Sequence, residues 1–275
     1  MRPTFFVGSV LQHGLALGLR GLAACGELLF PRGCAACDGE LSATDAVFCP
    51  ACAATLQPIV PDQICGRCAM PLSEQATLRR LRLGPAVLAT CETCAAWPAG
   101  LQSLHAPFEY GGALSEAIIA CKWQARFDRI RPLSRLLVPS LQSVIERCDV
   151  VIPVPLHGQR LRQRGFNQAA LLSHAALHEL APHQRRDLRP DWLQRIRPDA
   201  PARHATLAER QRRTHGAFAV PSQAHLHGLR VLLVDDVVTT GATITACAQA
   251  LCQAGARSVD AVALSRVVTL RGPDR

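Results

Sequence analysis

Eight cysteines arranged as four C-x-x-C pairs constrain this chain more than any other feature: Cys34/Cys37, Cys49/Cys52, Cys65/Cys68 and Cys91/Cys94. Each pair supplies two thiolates from one tight knuckle, and two knuckles close a tetrahedron around a zinc ion. Eleven residues separate Cys37 from Cys49 and 22 separate Cys68 from Cys91, so the simplest grouping is sequential. Cys34, Cys37, Cys49 and Cys52 then form one expected site, and Cys65, Cys68, Cys91 and Cys94 a second. Few large apolar residues lie between them, so metal binding would supply folding free energy outright. Iron–sulfur ligation and redox dithiols compete for the same pattern, but a redox C-x-x-C usually stands alone beside a βαβ unit. A closed tetrathiolate has no open position, so both sites are expected to be structural and not catalytic.

The other five of the thirteen cysteines (Cys25, Cys121, Cys148, Cys247 and Cys252) lie in apolar or helical surroundings and read mostly as buried thiols. So many free thiols point to a reducing compartment, hence the cytoplasm. Ahead of the cysteine region, residues 1–30 are rich in Leu, Ala and Gly. Leu22-Ala23-Ala24-Cys25 has the look of a lipoprotein cleavage site, but His13 and Arg20 interrupt the apolar run. An amphipathic helix packed on the next domain is the expectation, with no membrane span.

Beyond Pro98-Ala99-Gly100 the pattern changes to alternating strands and helices, which implies a parallel α/β sheet with helices on both faces. Its centre is Val231–Thr243, VLLVDDVVTTGAT. The apolar run Val231–Val234 reads as a buried parallel strand. It ends in Asp235 and Asp236, and ligands of doubly wound sheets bind at such strand ends. Thr239, Thr240, Gly241, Ala242 and Thr243 then open a helix, Ala242–Gln253, whose free N–H groups favour a phosphate. Acids able to hold a vicinal diol thus lie beside a phosphate cradle, a combination that suits a ribose 5-phosphate.

A neighbouring strand, Val150–Ile152, ends in Pro153-Val154-Pro155. It runs into a basic loop, Leu156 to Gly165, that presents arginines, Arg160 and Arg164 among them, to a second phosphate group. A sugar with phosphates at both ends fits these parts. Phosphoribosyl pyrophosphate has that shape, with Mg²⁺ shared between pyrophosphate and hydroxyls. Displacing pyrophosphate at its anomeric carbon passes through an oxocarbenium-like state that the nearby carboxylates would stabilise. Further elements are expected over Ser103–Tyr110 (strand), Ala113–Gln124 (helix), Pro132–Arg147 (helix, with a possible break at Pro139), Phe166–Leu180 (helix) and Val259–Leu264 (strand). Residues 182–216, rich in Arg, Pro and His, read as a mobile loop able to close over the site.

The net charge of +9 rests almost wholly on arginine, lysine occurring once, at Lys122. Such a balance suits nucleotides or nucleic acid, or a solvated surface under an arginine bias. An apolar content of 49% excludes a disordered chain. A receiver domain also has a strand ending in two Asp, but it needs a later lysine, and none follows Asp236.

Val231–Thr243 resembles the signature of type I phosphoribosyltransferases. More widely the chain resembles the ComF (ComFC) family of bacterial competence-related proteins. The resemblance lies in Leu29–Cys34, the four C-x-x-C pairs, Lys122-Trp123, Val151–Gln168 (VIPVPLHGQRLRQRGFNQ), Gly216-Ala217-Phe218 and the motif itself. It implies a double zinc ribbon over 31–100, preceded by the 1–30 helix and followed by a type I phosphoribosyltransferase-like domain over 101–275. It implies two structural zinc sites, Mg²⁺ and phosphoribosyl pyrophosphate, with an acceptor left open. Asp235 and Asp236 would take the ribose diol, Thr239 to Thr243 the 5-phosphate, Val154, Pro155, Leu156 and His157 the pyrophosphate, and Lys122 would face the phosphates. Partners implied are single-stranded DNA and other competence proteins such as a DNA helicase. The alternative role is a zinc-ribbon single-strand-binding adapter whose sugar-phosphate site does not turn over. Asp199–Ala202 departs from the Thr-x-x-Gln pattern usual in the mobile loop, and Arg213 stands where the family often has Asn.

Overall fold

The computed structural model describes residues 33–41, 46–72, 77, 82, 91–95, 97–198 and 214–268. The 1–30 segment and most of the Leu78–Leu83 insert lie outside these residues, as does the central part of the expected mobile loop. Strands β1 (Leu101–His105), β2 (Phe108–Glu109), β3 (Val150–Pro153), β4 (Asp187–Leu188), β7 (Arg230–Val238) and β8 (Ser258–Arg266) form one sheet. Its order is β1-β8-β7-β3-β4 with β2 also on β8, and every pairing is parallel. Two further short strands, β5 (Gln194–Arg195) and β6 (Phe218–Ala219), pair antiparallel to each other.

Strand β7 explains why the sheet takes helices on both faces. Val231, Leu232, Leu233 and Val234 are all fully buried. Alternation sends Val231 and Leu233 into one core and Leu232 and Val234 into the other. The first core is closed by helix α5 (Ala242–Gln253), whose Ala246, Ala248 and Cys247 are small enough for close approach to the sheet. The second is closed by α1 (Gly112–Trp123), α2 (Ile130–Ile145) and α4 (Gln168–Glu179). The expected parallel α/β sheet is therefore present.

Several local expectations change. Helix α2 runs through Pro139 without a break. Leu133, Leu137, Leu141 and Val144 bury one continuous stripe, while Pro139 is exposed and costs only a hydrogen bond on the outer face. Ser103–Tyr110 is two strands, both aligned with β8. The basic loop after β3 is instead a seven-residue helix, α3 (Gly158–Arg164). His157 caps it by accepting from the Gln159 amide, and Gly165, at φ +82°, closes it in the left-handed conformation. Residues 182–198 are not a featureless loop, since they include β4 and β5. Two-residue strands are too short to leave a period in the sequence.

The cysteine region covers the edge of the sheet where β1 and β2 lie. Leu104 N donates to Arg67 O (2.8 Å), Glu109 N to Gln57 O (2.8 Å), and Ile59 N to Pro107 O (2.9 Å). An otherwise open edge thus receives main-chain partners. Cys65, Cys68 and Cys94 join the α5-side core, whereas Cys34 and Phe48 join the α1–α2 side, so the region straddles the sheet.

Candidate functional site

The sheet order creates a crevice. From β3 the chain moves outward to β4, and from β7 it moves the opposite way to β8. The helices that follow lie on opposite faces, α4 on one and α5 on the other. The carboxyl ends of β3 and β7 therefore flank a topological switch point, where open α/β sheets bind ligands.

Pairing with β3 stops at Pro153↔Val234, while pairing with β8 continues to Val238↔Arg266. Strand β7 thus runs two residues past the acids, and Asp235 and Asp236 sit where it loses one neighbour. Asp236 is buried at 8% exposure and Asp235 is half-buried. The Asp236 amide donates to Asp235 Oδ1 (2.8 Å), and Lys122 Nζ, from the last turn of α1, lies 2.8 Å from Asp236 Oδ2. Burial, reinforced by the Asp236 charge, pushes the Asp235 carboxyl up to about 8. Asp236 thus has the Lys122 side chain as its partner, while its neighbour Asp235 is held toward the protonated form.

The turn after β7 leads into α5 through Gly241, its N-cap, at φ +81°. Ala242 N approaches Thr240 Oγ1 at 3.4 Å. The first amides of the helix have no partner within it. Across the crevice, Val154 N donates to Val234 O (2.8 Å) and Val154 O accepts from Asn167 Nδ2 (3.0 Å). Val154 and Pro155 are buried, with both main-chain groups of Val154 already paired; Leu156 and His157 are half-buried. Arg160 is exposed on α3. Arg164 donates to Gln168 Oε1 (2.7 Å) and stands over the Trp123 ring, 5.0 Å from its centroid.

The eight cysteines form the two expected clusters, with ligand atoms in each lying within 4.8 Å of one another. A tetrahedron of Zn–S bonds has S···S edges of about 3.8 Å. Cys37–Cys49 and Cys91–Cys94 stand at 3.8 Å, and Cys65–Cys94 and Cys68–Cys91 at 3.4 Å, so the residues fit a tetrathiolate metal. The hydrogen bond from Cys68 draws the Cys65 thiol down to about 4 and drives Cys68 far up, as expected of crowded thiols sharing protons.

Sequence reasoning missed the joints between these parts. Asp38, one residue after Cys37, accepts from Arg126 (2.6 and 2.9 Å) and from Arg129 (2.9 Å), tying the first knuckle to the segment after Lys122-Trp123. Trp97, three residues after Cys94, packs against Gly241. Trp123, Phe127 and Phe166 gather near α3, with Phe127 edge-on to Phe166 at 4.5 Å. The spacing of Asp38 and Trp97 from zinc ligands was the only available signal.

Comparison with known proteins gives a consistent picture. Residues 25–96 match the double zinc ribbon domain family. The DNA utilization protein YhgH of Salmonella typhimurium is 27% identical over 250 residues, covering 88% of this chain and all of the relative. YhgH of Escherichia coli O6:H1 is 32% identical over 183 residues, 65% of this chain and 78% of the relative. Competence protein F of Haemophilus influenzae is 26% identical over 239 residues, 85% of this chain and 96% of the relative. Among the described residues, no helix is long and apolar enough to cross a membrane.

Proposed function

The chain belongs to the ComF family, and from that premise we propose that it binds phosphoribosyl pyrophosphate with Mg²⁺ and acts in the handling of incoming DNA. The observation that carries this reading is the switch-point geometry: two acids, Lys122 and a helix-opening turn converge at one end of the sheet. Asp235 and Asp236 take the ribose hydroxyls, and carboxylate oxygens are the hard donors that Mg²⁺ accepts. The amides of residues 239–243 take the 5-phosphate. The loop from Val154 to His157 borders the pyrophosphate, with Lys122 turning from Asp236 toward it. Transfer to an acceptor would develop positive charge at the anomeric carbon as pyrophosphate leaves, and a carboxylate at this strand end would stabilise that charge. The 31–100 region is a zinc-held ribbon and 101–275 the phosphoribosyltransferase-like domain. The relatives' names, DNA utilization protein and competence protein F, support the cellular role.

Calorimetric titration with phosphoribosyl pyrophosphate and Mg²⁺ tests the site. Saturable binding is expected, lost when Asp236 is changed to Ala. A flat titration of the folded, zinc-loaded protein would refute it.

A second reading, a single-strand-binding adapter, draws on one specific observation. The sparse aromatics of the sequence argue against a stacking surface, yet the fold gathers three of them. Trp123 is 71% and Phe127 50% exposed, with Phe166 and Arg164 against them and Arg160 and Arg162 nearby on α3. Aromatic faces among arginines suit unpaired bases. Salt-sensitive binding to a single-stranded oligonucleotide, weakened about tenfold or more by Trp123→Ala, is the expected result.

A further inference from the structure

We propose that Trp97 is a positioning residue through which metal loading of the second cysteine cluster sets the conformation of the Thr239–Thr243 turn. The inference rests on the reading of that turn as the phosphate site.

Trp97 belongs to the ribbon by its main chain and to the turn by its ring. Its amide donates to Cys94 O (3.1 Å), so its position follows directly from a metal ligand. The ring is buried, at 7% exposure, in the same core as Cys65, Cys68 and Ile244. On its far side is Gly241. A Cβ built there would lie 3.2 Å from Trp97 Cζ2, closer than ordinary packing, so the ring is in contact with the backbone at the mouth of α5. Gly241 has φ +81°, a conformation that side-chain-bearing residues rarely adopt. The indole thus forms the floor beneath the one residue of the turn whose backbone is least tolerant of change.

Arg67 grips the same ring from the ribbon side. It lies between Cys65 and Cys68, the opposite knuckle of the same metal site. Its guanidinium donates to Cys94 O (2.9 Å), Pro98 O (3.0 Å) and Leu101 O (2.9 and 3.2 Å), and it stands 5.8 Å from the Trp97 centroid. Arg67 therefore reads the relative placement of the two knuckles and transmits it to Trp97. Immediately before β1, the backbone at Gly100 is also pressed onto α5, where a Cβ would collide with Cys252 Sγ. Both ends of the Trp97–Gly100 segment thus press on α5 or its N-cap.

The consequence is a thermodynamic link. With metal bound, four thiolates hold the knuckles at the separation Arg67 spans. Without it, four crowded thiols have no shared counter-charge, and the knuckles have no reason to keep that separation. Arg67 then releases the carbonyls, Trp97 leaves Gly241, and the turn loses its floor. Because coupling is reciprocal, occupancy of the phosphate site in turn raises metal affinity at Cys65, Cys68, Cys91 and Cys94.

Hydrogen–deuterium exchange of the full chain decides the matter without needing a ligand. In the zinc-loaded Trp97→Ala variant, amides of 239–245 are expected to exchange about tenfold faster than in wild type, while zinc content stays at two per chain. Chelating zinc from wild type should produce the same acceleration, and chelation should add nothing at the turn in the variant. Unchanged exchange at the turn in a variant that retains its zinc would overturn the proposal, as would an equal chelation effect in wild type and variant. Should Trp97→Ala fail to fold, Arg67→Met, which keeps the ring but removes its grip, is judged by the same criteria. In a parallel arm, Trp97→Ala should weaken phosphoribosyl pyrophosphate binding about tenfold. If wild type binds none, the substrate reading fails and the exchange result still judges Trp97.

Discussion

Lys122 Nζ lies 2.8 Å from Asp236 Oδ2, so of the two adjacent acids it is Asp236 that pairs with the cation. Asp235, pressed by burial and by its neighbour's charge, holds its proton to about 8. In the unfolded chain the same carboxyl ionises near its ordinary value, about 3.9. Between these limits the folded protein binds more protons than the unfolded one, so stability falls as pH rises. Asp235→Asn removes that difference. The variant's stability margin over wild type should widen by about 2 kcal/mol between pH 6 and pH 8. Urea denaturation across that interval checks it; a margin that does not change with pH would exclude a protonated Asp235.

Gly241→Ala should be costly in two ways. The φ of +81° strains any residue with a Cβ, and the new methyl would meet Trp97 at 3.2 Å. We expect a loss of about 1–3 kcal/mol in stability. Gly165→Ala, also at positive φ but with open space around it, should cost only the backbone strain. Thermal melting of the two variants side by side separates the steric part from the conformational part.

Much of this architecture is legible from residue order. A fully apolar Val231–Val234 run can only be a strand covered on both faces, and four C-x-x-C pairs announce two metal knuckles. Asp235, Asp236 and the turn follow because acids and glycine lie immediately after that strand. What escapes is whatever depends on two distant segments meeting. The break considered at Pro139 is absent because buried leucines on one face outweigh a missing hydrogen bond on the other. The helix over 158–164 hides in a stretch whose charge suggests a loop, although His157 and Gly165 bracket it with cap signals. The Asp38–Arg126 and Trp97–Gly241 contacts join residues 88 and 144 positions apart, and no local pattern encodes them. The aromatic cluster is likewise invisible until α1, the α1–α2 connection and the α3–α4 connection come together.

Losing the second metal site should expose a sheet edge. Arg67 O, within the Cys65–Cys68 knuckle, is the main-chain partner of Leu104 in β1. Cys65→Ser should leave about one zinc per chain, since a site lacking one of four ligands binds weakly. With the knuckle loosened, β1 presents unpaired amides, a template for edge-to-edge association. Metal analysis combined with light scattering at 37 °C is the check. A monodisperse variant carrying one zinc would show that the edge is protected by something other than the ribbon.

Asp38 should account for the attachment of the first knuckle. It sits at φ +59° and holds Arg126 and Arg129 together, and the hydrogen bond from Arg126, with the charges of both arginines, draws its carboxyl down to about 2. A carboxylate depressed in this way stabilises the fold at any pH above its unfolded value, and the contribution fades only as pH falls toward 2. At pH 7 it is therefore fully present. Asp38 and Arg126 are both partly exposed, at 53% and 34% of their side chains, so solvent screening limits their coupling to about 1 kcal/mol. Arg129 differs, at 5% exposure, and Asp38→Asn leaves its guanidinium with a weaker acceptor. A double-mutant cycle at pH 7 should give a larger coupling for Asp38 with Arg129 than for Asp38 with Arg126, using Met at each arginine. Raising the salt to 0.5 M should erode the Arg126 term more than the Arg129 term, because screening acts first on the exposed pair. Equal couplings with equal salt sensitivity would mean that burial of Arg129 adds nothing to the joint.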